Sequence, residues 1–142
     1  MGIRVSIRII NPNNNRSIIT SGLLNSGYES REPEITIPKK LAEQLGYYPL
    51  PNNARIITVR TSGGLVTEIF IPKAARMELL DQENNVLREM QVDVSISEME
   101  NEVLLSDVTI DELNIEIISF GRGEWRLRGE KIVRKSTPPQ TW

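Results

Sequence analysis

The chain has 142 residues, 39% hydrophobic and 25% charged, with a formal net charge of −2. That is the balance of one globular domain, without a global field that would draw nucleic acid or an acidic membrane surface. It contains no Cys and no His, which excludes disulfides, thiolate nucleophiles, imidazole bases and most transition-metal sites together and leaves acid–base chemistry to carboxylates, lysines and tyrosines.

In chain order, Val5, Ile7 and Ile9 alternate with Arg4, Ser6 and Arg8, the period of a half-buried strand over residues 3–10. Arg4 and Arg8 also interrupt the apolar run that a signal peptide needs, and no stretch approaches the ~20 apolar residues of a membrane span. A cytoplasmic protein away from membranes is therefore expected. Asn11-Pro12-Asn13-Asn14-Asn15 reads as a turn. Ser17–Leu24 reads as a second strand that delivers the chain into Asn25-Ser26-Gly27. A polar loop follows over Tyr28–Glu34, then a short strand at Ile35 and Ile37.

Pro38 suits a first helical turn, Leu41, Ala42 and Leu45 share one face, and Gly46 is placed to end the helix. Arg55–Arg60 and Leu65–Ile71 form a hairpin around Ser62-Gly63-Gly64. A further strand pair is expected over Arg76–Leu80 and Val86–Ser95, and a short strand at Val103–Leu105. Asp107 is the expected N-cap of a helix over Val108–Leu113, ended by Asn114. Ile115–Phe120 and Glu124–Leu127 make a last hairpin. Residues 129–142, with Pro138-Pro139, read as a mobile tail beyond a domain of residues 1–128. Many short strands with one or two short helices predict a mainly β closed barrel or sandwich.

Asn25-Ser26-Gly27, set between an apolar strand and the segment Ile35–Gly46, resembles the active-site stretch of retropepsin-like aspartic proteases, where Asp-Thr-Gly or Asp-Ser-Gly occupies this place. The resemblance runs from about residue 3 to residue 128, and the stretch Ile35–Gly46 resembles archaeal members more than viral ones. The hairpin tip Ser62-Gly63-Gly64 looks like the family's substrate-covering flap. Leu104-Leu105-Ser106-Asp107 looks like its second apolar-apolar-Gly loop, with Ser106 where Gly is usual.

The family resemblance implies a retropepsin-like barrel and a homodimer with one Asp from each subunit on the two-fold axis. It also implies catalysis by two carboxyl groups sharing a proton, without a cofactor or metal. Here Asn25 stands at the Asp position. A carboxamide neither takes nor releases a proton near neutral pH, so the expectation is an inactive homologue that still holds an extended peptide or protein. Ser26 and Gly27 would shape the loop, and Tyr28, Glu29, Ser62, Gly63 and Gly64 would line the substrate site.

Two other readings stay open. One is an aspartic endopeptidase whose Asp is replaced by Asn in this chain, or is regenerated by deamidation of Asn25. The other is an unrelated small β-barrel that binds nucleic acid or protein. Glu29, Glu32 and Glu34 suit a solvated acidic loop better than a divalent-cation site or a substitute base. Trp125 with Arg126 and Arg128 suits barrel packing better than nucleic-acid binding, which is not expected. Ser26 has no His to activate it and no Ser-x-x-Lys spacing beside it, so it is no nucleophile.

Overall fold

The computed structural model describes residues 2–142 and is mainly β, with a closed six-strand barrel and two short helices. Strands β1 (Arg4–Ile10) and β2 (Ser17–Leu24) pair antiparallel in register Ile7↔Thr20. Asn11 closes the turn between them. It is buried, and its Nδ2 donates to the Leu45 carbonyl at 2.9 Å, while Asn15 takes the left-handed conformation at φ 60° that Asn tolerates. Strand β3 (Glu34–Pro38) leads directly into helix α1 (Lys39–Gln44), and Gly46 follows at φ 78°. A Cβ at Gly46 would sit 2.3 Å from Asn14 Nδ2, so close approach as well as backbone conformation favours glycine there.

Strands β4 (Arg55–Thr61) and β5 (Gly64–Leu80) form the next hairpin, and β6 (Val86–Ser97) returns antiparallel along β5. β7 (Val103–Leu105) precedes helix α2 (Asp107–Glu112). The barrel closes in the order β1-β2-β7-β3-β6-β5, with Ile9↔Met77 joining β5 back to β1, and β4 continues the sheet beyond β5. A three-stranded sheet of β8 (Ile115–Ser119), β9 (Glu124–Leu127) and β10 (Arg134–Lys135) accompanies it.

The alternation in β1 turns Ile3, Val5, Ile7 and Ile9 into the interior, where they meet Ile35, Ile37, Met77, Leu79, Val94, Ile96 and Leu105. Full burial of one such side chain stabilises by ~1.5–3 kcal/mol relative to leaving it in water. Leu41, Ala42 and Leu45 of α1 join this core. Among the described residues, no helix is long and apolar enough to cross a membrane.

Three expectations need correction. The segments at Leu65–Ile71 and Arg76–Leu80 belong to one 17-residue strand, β5. The irregularity that suggested two lies between Ile71 and Ala75, where Lys73 has φ 48° and its N–H donates to Asp93 Oδ1 at 2.7 Å; this bulge bends the strand without ending it. Ser106, not Asp107, caps α2: its Oγ accepts from Thr109 N at 3.3 Å, while Asp107 Oδ1 accepts from Val108 N and Ser30 N.

The segment 129–142 is docked rather than free. Ser136 N donates to Gly123 O, Thr137 N to Arg4 O, Gln140 N to Ser21 Oγ, and Trp142 Nε1 to Thr20 Oγ1. Arg4, Ser21 and Thr20 lie more than a hundred residues away in sequence, which is why composition alone suggested a loose end.

Candidate functional site

Two parallel strands define the site. β2 and β7 run side by side with Leu24 opposite Leu105, so Asn25 and Ser106 leave the barrel at the same level. Asn25 N donates to Leu105 O at 3.2 Å, Tyr28 N to Asn25 O at 3.0 Å, and Gly27 N to Asn25 Oδ1 at 3.0 Å. The loop is thus a tight turn braced by its own carboxamide oxygen. Asn25 is half-buried, and Ser26, Gly27 and Glu29 are exposed.

Beneath the loop lies a lattice of hydroxyls. Thr109 Oγ1 accepts from Glu34 N and donates to Glu34 O, both at 2.8 Å. Ser106 Oγ stands 2.9 Å from Thr109 Oγ1 and 2.8 Å from Ser30 Oγ. Ser106 N donates to Glu34 O and Asp107 N to Tyr28 O. Loop 25–34 is thereby tied at both ends to the start of α2. Every donor in that lattice has an acceptor, as burial demands.

Tyr28 folds back along β3. Its hydroxyl donates to Glu34 Oε2 and accepts from Thr36 Oγ1. Burial first, then the Glu34 charge, pushes the Tyr28 phenol far above its ordinary range. Burial also raises the Glu34 carboxyl above the usual carboxylate value; the Tyr28 hydroxyl opposes this, and the charges of Asp93 and Glu68 add to it. Glu68 belongs to β5 and accepts from Ser95 Oγ at 2.7 Å. Ser95 stands opposite Thr36 in the β3–β6 register, and Thr36 Oγ1 donates to the Tyr28 hydroxyl, so Glu68 reaches the strand on which Tyr28 lies.

The hairpin tip is apart from this. Ser62, Gly63 and Gly64 are exposed, Thr61 Oγ1 accepts from Gly63 N and donates to Gly64 O, and Gly64 has φ 112°. Among the described residues no hydrogen bond links the tip to residues 25–29. Of the expected substrate-side residues, the fold joins Asn25, Ser26, Gly27 and Tyr28 in one turn. Glu29 points to solvent, and the tip stands at the end of a projecting arm.

A cavity of about 250 Å³ lies at the arm's base, lined by Lys39, Tyr48, Ile56, Glu68 and Ile69 among others. A larger cavity, about 570 Å³, is formed by Leu80, the following turn, Trp125 and residues 132–138, and shares no residue with the loop.

Sequence reading missed Thr36, Glu68, Ser95 and Thr109. The strand alternation carried a signal for Thr36 and Ser95: β3 and β6 place Ile35, Ile37, Val94 and Ile96 in the core, so Thr36 and Ser95 must face the other way.

Among the described residues no three acidic side chains gather to hold a metal ion, and Arg31 joins no ion pair. Trp125 is buried, and Arg126 and Arg128 both pair with Glu116. No model of a known protein family matches the chain, and no curated protein matches it either.

Proposed function

We propose that this protein is a retropepsin-like homodimer that binds an extended peptide and does not cleave it. The observation that carries the reading is Asn25 at the end of β2, whose carboxamide makes, among the described residues, a single hydrogen bond, the one Oδ1 accepts from Gly27 N. Three features support it. The ends of β2 and β7 stand together, each leading into a polar turn or cap. An arm formed by β4 and the first part of β5 extends beyond the strands that close the barrel, and its Glu68 bonds to Ser95, which stands opposite Thr36. The outer face between them carries the half-buried Tyr28, Glu34 and Glu68 above two buried hydroxyls, Thr36 and Ser95, and the three half-buried groups are suited to side-chain contacts with an extended strand. The carboxylates of Glu34, Glu68 and Asp93 make that face favour a peptide bearing Lys or Arg.

Two copies facing one another through this loop would bring two neutral carboxamides together. Such a pair holds a water by hydrogen bonds but removes no proton from it, and the loss of a general base alone costs ~10²–10⁴ in rate.

A second reading, an aspartic endopeptidase silenced by Asn, draws on the same contact. Oδ1 is the accepting atom in Asn and in Asp, so Asn25→Asp requires no rebuilding of the turn. One experiment tests both readings: sedimentation of the Asn25 protein and of Asn25→Asp, each assayed on a mixed peptide library. A dimer in both cases, with cleavage only by Asn25→Asp, is the expected result. Cleavage by the Asn25 protein itself, or a monomer in both, refutes the proposal.

A further inference from the structure

Asn25 is the only asparagine followed by serine, and none is followed by glycine. The identity of the next residue matters because its main-chain nitrogen is the nearest nucleophile to the carboxamide carbon, and a bulky side chain hinders its approach. Asparagine is among the thermolabile residues for this reason.

The structure adds three conditions. Gly27 N–H donates to Asn25 Oδ1 at 3.0 Å, a donor already placed where negative charge develops when a nucleophile adds to Cγ. Ser26 N has no protein acceptor among the described residues, while Asn25 N and Tyr28 N are both bonded. Ser26 and Gly27 are exposed, so water reaches the turn.

We infer that Asn25 is a self-modification site, at which the Ser26 main-chain nitrogen closes on the Asn25 side chain and water then converts the residue to an acid. In the first step Ser26 N loses its proton and bonds to Cγ, and the Cγ–Nδ2 bond breaks, releasing ammonia and leaving a cyclic imide. In the second, water adds to the imide. Addition at Cγ breaks the new C–N bond and gives Asp; addition at the main-chain carbonyl gives isoaspartate. No oxidant, metal or cofactor takes part. The Asp product carries a carboxylate where the proposed function needs one for proton transfer. That consequence rests on the proposed function; the modification does not.

The chain contains its own controls. Asn14 Oδ1 accepts from Arg16 N at 2.8 Å in the same kind of turn, but its next residue is the larger Asn15. Asn11 Oδ1 accepts from Asn13 N at 3.1 Å, but its next residue is Pro12, which has no N–H to lose.

The test is to age the intact protein in mildly alkaline heavy-oxygen water and map the peptides by mass. Conversion at Asn25 several-fold faster than at Asn14, with none at Asn11, is expected. Ser26→Pro abolishes conversion at Asn25 and Ser26→Val slows it. Conversion at Asn25 no faster than at Asn14, or undiminished in both variants, overturns the inference. Peptidase activity of the aged fraction is read separately: converted protein that stays inactive upholds the modification and counts against the functional reading.

Discussion

β2 and β7 end at the same level, yet the residues that follow have opposite fates. Ser106 is fully buried, and its hydroxyl is shared among the α2 backbone, Thr109 and Ser30. Asn25 is half-buried, and among the described residues its carboxamide is bonded only within its own turn. One exit is welded into the domain and the other is left facing outward. A site that must meet something beyond the domain belongs on the second kind of exit, held in place by the first.

Substitutions that break the welded side carry the largest expected effects. Thr109→Val leaves the Glu34 N–H without its acceptor, and an orphaned buried donor costs about 1–3 kcal/mol; urea unfolding should show a lowered midpoint with an unchanged slope. Ser106→Ala removes a cap and should cost about 1–2 kcal/mol. The double variant should lose less than the sum, because the two hydroxyls share one lattice. Tyr28→Phe should cost about 1 kcal/mol, and it sharpens a pH effect.

The Glu34 carboxyl is raised in the fold, so the folded state holds that proton more tightly than the unfolded chain. Its contribution is fully present below the ordinary value of 4.5 and is lost as pH rises through the folded value. The Tyr28 hydroxyl works against the rise, so Tyr28→Phe should push the window to higher pH; stability measured in steps from acidic to neutral pH, with Glu34→Gln as the flat reference, checks this. The smallest effect belongs to the open exit: Asn25→Ala should change stability by less than about 0.5 kcal/mol, whatever it does to function.

Much of the barrel was legible because its signals are local. The alternation of β1, the exact span of β2, the Ser62–Gly64 tip and Gly46 after α1 all follow from neighbours in sequence. The candidate loop was legible for the same reason. What escaped depends on distant partners. Lys73 bends β5 through Asp93 of the next strand, and Ser106 wins the cap because Asp107 is drawn to Ser30 across 77 positions. Trp142 docks on Thr20, a pairing no local pattern announces. The Tyr28–Glu34 contact lay only six residues apart, but it needed the turn of the loop to bring the two together.

Closing six strands into a ring removes their edges, and the seventh strand does not share that protection. Among the described residues β4 pairs only with β5, and its Ile56 is 75% exposed. An open row of amide groups beside a bare aliphatic side chain is a template for runaway self-association. Arg55 and Arg60, both exposed near the ends of that row, put like charges where a second copy would have to pair. A strand that cannot be closed into the ring is thus guarded by charge instead of by pairing.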